Sequence, residues 1–277
     1  MATLGFLGER TSELNGNHLE IVKFSSTDDN NYERVAGNIS RLNEILIQPQ
    51  ENHESNTYKM DEKNSQCLKD LQTTDPRHDK TRIEKDKGRL LEDSYRWIFE
   101  NADFRQWDDD QQSRLLWIKG DPGKGKTMLL CGIINEFSKL TVKTGLLSFF
   151  FCEGTMRITT ATAVLRGLIY LLVDQQPSLI RYVQEKYDHA GKALFEDINA
   201  WVALSEIFSN IVQDLSLKNV YLIIDALDEC QTDDLPLFLD FIVQKSSIYP
   251  HVKWIVSSRV LLKDCVKFRG NHNFTGL

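Results

Sequence analysis

The stretch "GDPGKGKT", residues 120–127, stands between the apolar run "LLWI" and the segment "MLLCGII". It satisfies the pattern G-x-x-x-x-G-K-[ST], with Gly120, Gly125, Lys126 and Thr127 in the fixed places. A turn of this composition lets the chain wrap so that successive backbone N–H groups point inward. The helix that follows adds its positive end to the same concavity. Residues Gly120, Asp121, Pro122, Gly123, Lys124, Gly125, Lys126, Thr127 and Met128 are therefore expected to cradle phosphate. Lys126 brings a mobile cation to the β- and γ-phosphates, and the Thr127 hydroxyl is placed to ligate Mg²⁺. The competing reading is a glycine- and lysine-rich surface turn. The motif requires a buried strand before it and a helix after it, and the flanking residues supply both patterns.

The surrounding chain extends the same grammar. "RLLWIK", "GLLSFFFC", "NVYLIIDA" and "VKWIVSS" read as short strands. Between and around them, "LLEDSYRWIFENADF", "KTMLLCGIINEFSKL", "TATAVLRGLIYLLVDQ", "SLIRYVQEKYDHA", "INAWVALSEIFSNIVQDL" and "DDLPLFLDFIVQKSS" read as helices. All-apolar strands alternating with helices predict an α/β fold, a mostly parallel sheet flanked by helices.

At 277 residues and 41% hydrophobic content the chain can bury a sizeable core. A net charge of -7 argues against a general nucleic-acid or membrane-surface binder, since the required excess of Lys and Arg is absent. The five cysteines carry no CxxC pair and no His-Cys cluster, so neither a zinc site nor a disulfide framework is expected. The start "MATLGFLGER" lacks the features of a secretory signal, and the apolar run Ala163–Val173 is too short to span a bilayer. A soluble, cytoplasmic chain is expected. From Gln48 to about Arg89 the sequence turns polar and charged, which reads as a linker. The expected division is a short segment over 1–48, a linker over 49–88 and a nucleotide-binding core over 89–277.

Two further clusters point toward the loop. "YLIIDALDEC" puts Asp225 at the carboxyl end of an apolar strand and Asp228 and Glu229 one short turn later. In open α/β sheets ligands bind at that end. Asp225 is a candidate Mg²⁺ ligand through water, and Asp228 or Glu229 a candidate to orient and deprotonate a water. Taken alone, these acids would equally serve as helix caps. "VKWIVSSR" ends another strand with Arg259, a cation for γ-phosphate or transition-state charge, or else an ordinary surface arginine.

Together "LLWIKGDPGKGKTMLLCGIINEF", "SFFFC", "ATAVLRGLIYLLVDQQPSLI", "YLIIDALDEC" and "WIVSSR" resemble the NACHT-type NTPase module of fungal STAND (NOD-like) proteins, including those of heterokaryon incompatibility. The similarity runs from about Cys67 to Arg259. It implies a P-loop NTPase with an AAA+/STAND-like core, in which the strand ending at Arg259 lies between the phosphate-loop strand and the strand ending at Asp225. It also implies a switch held closed by a nucleoside diphosphate and opened by ATP or GTP with Mg²⁺, and self-association or other protein partners; slow hydrolysis is expected because water activation needs a closed site. The family continues past Arg259 with a fifth core strand and a helical lid, both of which this reading expects to be missing.

A second, shorter resemblance covers about residues 8–47. "ERTSELNGNHLEIVKFSSTDDNNYERVAGNI" is similar to the end of α/β-hydrolase effector domains, in which a His like His18 completes a triad. The chain has no G-x-S-x-G elbow, so His18 lacks a nucleophile. Two other functions stay open on the residues alone: a scaffold that binds nucleotide without turnover, and a P-loop kinase of a small metabolite. The tryptophans Trp97, Trp107, Trp117, Trp201 and Trp254 are expected in the core and between helices. No residue pattern discriminates adenine from guanine.

Overall fold

The computed structural model describes residues 2–6, 10–14, 53–88, 90–110, 112–152, 159–231, 233–259 and 274–276. The chain divides into two compact units, Met1–Met60 and Asp61–Leu277. In the first, β1 (Ala2–Phe6) and β2 (Arg10–Leu14) form an antiparallel pair with Ala2 opposite Leu14 and Phe6 opposite Arg10. His18 lies outside the described residues.

The expected linker is largely helical. Helix α1 spans His53–Leu71 and α2 spans Pro76–Asp86. Asp75 starts α2 by accepting the Arg77 amide at 2.9 Å, with Pro76 preset for the first helical position. Cys67, Leu71 and Ile83 are fully buried, so a few apolar groups at helical spacing suffice to dock segments whose composition is otherwise that of a linker.

A second correction concerns "LLEDSYRWIFENADF", which is not one helix. Two short 3₁₀ turns, Glu92–Ser94 and Arg96–Glu100, precede α3 (Ala102–Asp109). Asn101 adopts an extended conformation and caps α3 by accepting the amides of Asp103 and Phe104, which restarts the helix. Trp97, on the second turn, is 41% exposed rather than in the core, whereas Trp107, Trp117 and Trp254 are buried. Trp201 is partly buried, packing edge-on against Phe238 and Phe241.

The core sheet holds β3 (Leu115–Lys119), β4 (Leu146–Phe151), β5 (Val220–Asp225), β6 (Val252–Ser258) and β7 (Phe274–Gly276). All neighbours are parallel, in the order β4-β5-β6-β3-β7. The strand β6 thus lies between β3 and β5, as the resemblance implies. Consecutive residues Leu115 to Ile118 are each 2% exposed or less, so both faces of the sheet are covered. The expected absence of a fifth strand does not hold: β7 pairs beside β3, with Trp117 opposite Phe274 and Lys119 opposite Gly276. It is only three residues long, and "FTG" carries no apolar run or alternation by which to recognise it.

The flanking helices are α4 (Lys126–Thr144), α5 (Ala161–Gln175), α6 (Ile180–Ala190), α7 (Ala200–Val212) and α8 (Leu235–Ile248). Thr160 caps α5 by accepting the Ala163 amide at 3.1 Å. Every residue of α5 from Val164 to Val173 is buried. Gly167 is required there, since a Cβ would fall 2.4 Å from the Phe150 ring on β4. Arg166, the charge in this apolar run, donates to the carbonyls of Asp70 at 2.6 Å and Leu71 at 3.0 Å and so caps the end of α1. Among the described residues no helix is long and apolar enough to cross a membrane.

Candidate functional site

Because β5, β6 and β3 run parallel in adjacent places, their carboxyl ends deliver Asp225, Arg259 and the 120–127 loop to one edge of the sheet. The loop is bent by Gly123 (φ 78) and Gly125 (φ 79), left-handed conformations that side-chain-bearing residues adopt only with strain. Gly125 is also the residue from which α4 starts, and its carbonyl accepts the Leu129 amide. The Gly120 amide donates to the Ser258 carbonyl at 3.3 Å, joining the loop to β6. Lys126 folds back over the loop, its Nζ donating to the carbonyls of Gly120 at 2.5 Å and Asp121 at 3.0 Å.

On the neighbouring strand Asp225 is 1% exposed, and its Oδ1 accepts the Ser257 hydroxyl at 2.5 Å. The same hydroxyl accepts the Ala226 amide at 2.9 Å, so β6 sets both the carboxylate and the turn after it. Ala226 itself is left-handed (φ 52), the one such non-glycine among the described residues. It turns the chain into a 3₁₀ segment, Leu227–Glu229, which carries the acidic pair. A strained conformation at such a place indicates that the geometry is imposed by its surroundings.

The pair does not stand alone. Arg259 donates its amide to Asp228 Oδ1 at 3.0 Å, sets Nε 2.8 Å from Asp228 Oδ2, and reaches Glu229 Oε1 at 3.0 Å. Trp117 fixes the preceding residue, its Nε1 donating to Ser258 Oγ at 2.7 Å. The structure therefore joins two features, acidic pair and strand-end arginine, that the residues alone present as separate.

These groups line a cavity of about 340 Å³, walled by Pro122–Met128, Asp225, Ala226, Asp228, Glu229, Arg259 and Lys87. Gly120 and Asp121 contribute through their carbonyls to Lys126 rather than as wall. Lys87 was not foreseen: it follows α2, in a stretch crowded with lysines, and nothing in its local pattern sets it apart. Two larger spaces exist, about 500 Å³ beneath α2 and α4 and about 640 Å³ between α7 and α8. Neither includes the glycine loop or the strand-end carboxylates, so the smaller one is the candidate site.

The donor set suits a Mg²⁺-bound polyphosphate. Mg²⁺ prefers one or two protein oxygens together with phosphate oxygens and water, and here one buried carboxylate, Asp225, and one hydroxyl, Thr127, border the same cavity as the loop. Among the described residues no group of three or more His, Cys, Asp or Glu could hold a metal by itself.

Residues 93–259 match the family described as "Nephrocystin 3, N-terminal". Over 198 residues the chain is 62% identical to the "Vegetative incompatibility protein HET-E-1" of Podospora anserina, covering 71% of this chain and 14% of that protein. The chain thus spans about one seventh of that relative's length. Among solved structures, the Walker-type ATPase of Pyrococcus abyssi aligns with a TM-score of 0.36 at 15% identity, over 57% of this chain and 44% of that one. The Drosophila ORC bound to AT-rich DNA and Cdc6 aligns with a TM-score of 0.38 at 11% identity, over 67% of this chain and 54% of the other.

Proposed function

The chain belongs to the family described as Nephrocystin 3, N-terminal, and from that membership we propose that it is a nucleotide-operated switch module. Its ligand is ATP or GTP, or the corresponding diphosphate, with Mg²⁺. The observation that carries this reading is the convergence on one cavity of the 120–127 loop, the Asp225 carboxylate and the Arg259–Asp228–Glu229 cluster. Backbone N–H groups of the loop and Lys126 hold the phosphates, while Thr127 and Asp225 hold the metal. Asp228 or Glu229 orients the attacking water, and Arg259 meets the γ-phosphate. Turnover is slow, because water is activated only when the site is fully closed. The 62% identity to a vegetative incompatibility protein supports signalling through protein association as the setting for the switch.

The test is calorimetry of the chain with ATP, GTP and their diphosphates, with and without Mg²⁺. Binding that depends on Mg²⁺ and is lost in Lys126→Ala is expected. Binding that survives Lys126→Ala overturns the reading. Binding without phosphate release, unaltered in Glu229→Gln, identifies instead a scaffold that senses nucleotide but does not turn it over.

A further inference from the structure

We propose that Lys87 is a further nucleotide-contacting residue, which meets the α-phosphate end of the ligand and thereby ties the helical arm α1–α2 to the presence of bound nucleotide. The inference rests on the reading of the cavity as a nucleotide site.

The placement of Lys87 follows from local structure. Its amide closes the last helical bond of α2, donating to the Ile83 carbonyl at 2.9 Å. Gly88 then takes a left-handed conformation (φ 91), which ends the helix and turns the chain away. Lys87 is therefore the residue that caps the carboxyl end of a packed helix, and it lines the same cavity as the phosphate loop. The helix beneath it is held firmly. Ile83 is 1% exposed, Glu84 accepts from Lys80 at 2.6 Å, and Asn135 of α4 donates to the same Glu84 oxygen at 3.3 Å. The Cys131 thiol of α4, one turn beyond Thr127, is pushed up to about 12 by burial, while Lys80, Lys87 and Asp225 all act on it through their charges. Lys87, Asp225 and the first residues of α4, Lys126, Thr127 and Met128, border one cavity.

The direction of approach decides which phosphate is met. Arg259, Asp228 and Glu229 come from the ends of β5 and β6, and Lys126 serves the β- and γ-phosphates. Lys87 comes instead from α2, which packs along α4. The amides at the start of α4 cradle the α- and β-phosphates, so the cation beside that turn faces the part of the ligand common to diphosphate and triphosphate. Charge supports the need for it. The wall sets Lys87, Lys124, Lys126 and Arg259 against Asp225, Asp228 and Glu229, and Arg259 is already engaged with two of the three acids. The arm is continuous behind Lys87: Arg77 at the start of α2 bridges Asp75 and Asp174, and Arg166 holds the last carbonyls of α1.

The test is calorimetry of the full chain with adenine and guanine di- and triphosphates in Mg²⁺, comparing Lys87→Ala, Lys87→Arg, Arg259→Ala and Lys126→Ala. Lys87→Ala is expected to weaken diphosphate and triphosphate alike, by about 5- to 20-fold as for one charge-assisted contact. Lys87→Arg should restore most of the affinity, and Arg259→Ala should weaken the triphosphate more than the diphosphate. In hydrogen exchange, nucleotide should protect α2 in the unaltered chain and less in Lys87→Ala. Unchanged affinities in Lys87→Ala alongside a loss in Lys126→Ala would overturn this inference alone. A loss confined to the triphosphate would overturn the α-phosphate placement. No binding by the unaltered chain would overturn the nucleotide reading and this inference with it.

Discussion

Arg259 and Asp228 meet twice, the Arg259 amide on Oδ1 at 3.0 Å and Nε beside Oδ2 at 2.8 Å. The arginine side chain is 45% exposed, and ion pairs of that exposure add only about 0–1 kcal/mol to stability. The contact is therefore better understood as placing charge than as holding the fold. Arg259→Ala is expected to change the unfolding free energy by less than about 1 kcal/mol, and Asp228→Asn or Glu229→Gln to slow phosphate release about 100-fold. Thermal denaturation run beside a phosphate-release assay checks both. A large loss of stability with undiminished turnover would count against the assignment.

Ser257 carries a second prediction. Its fully buried hydroxyl donates to Asp225 and accepts from the Ala226 amide, so Ser257→Ala strips a partner from a carboxylate and a backbone N–H at once. Removing one partner of a buried polar group costs about 1–3 kcal/mol. The variant should unfold at lower guanidinium concentration and need more Mg²⁺ for half-maximal nucleotide binding. Full retention of the Mg²⁺ requirement would show that Asp225 is positioned by other groups.

The parts of this fold that could be read from residues are those whose signal is local. The strands "LLWIK" and "VYLIID" are apolar runs with charges at their borders, and the glycine loop is defined by spacing within eight residues. The Arg259–Asp228 contact joins positions 31 apart, and only the sheet order makes them neighbours. The helices α1 and α2 were obscured because Cys67, Leu71 and Ile83 sit in a highly charged background, where burial depends on partners such as Arg166 that sequence cannot locate. Asn101 looks like any polar residue, yet its side chain decides where α3 starts. Lys87 shares its neighbourhood with Lys80 and Lys85, and only the stop at Gly88 selects it.

The edge of the sheet supplies a third prediction. β4 is a terminal strand, and at Leu147 its backbone is met by a side chain: Gln175 Oε1 accepts the Leu147 amide at 3.1 Å, and its Nε2 donates to the Leu147 carbonyl at 2.7 Å. The amide group thus imitates a neighbouring strand and blunts the edge against pairing. Gln175→Ala should lose about 2–4 kcal/mol from three partly buried hydrogen bonds, the third from Nε2 to the Leu171 carbonyl at 2.6 Å. It should also raise light scattering at micromolar concentration, whereas Gln175→Glu, which cannot donate to the carbonyl, should fall between. Unchanged urea unfolding and scattering in Gln175→Ala would remove the edge-blocking role.

A last prediction concerns acid. Just beyond α7, Asp214 accepts the Ser216 amide and hydroxyl at 2.9 and 2.6 Å on one oxygen, and Tyr182 and Arg181 of α6 at 3.0 and 2.5 Å on the other. The Ser216 bonds, with those from Tyr182 and the charge of Arg181, outweigh the opposing effect of burial and hold the carboxyl down at about 2, against an ordinary 3.8. A folded-state value below the unfolded one means that the unfolded chain binds the proton more readily at mildly acid pH. The stabilisation from this carboxylate is therefore fully present above about pH 4 and is lost as the pH falls from 4 through 2. Asp214→Ala should cost about 2–3 kcal/mol near neutrality, as expected for hydrogen bonds to a charged group, and should cost progressively less on acidification. Urea unfolding of both proteins at pH 7, 4 and 3 measures that difference. A gap that stays constant across the three would mean that Asp214 contributes through packing rather than charge.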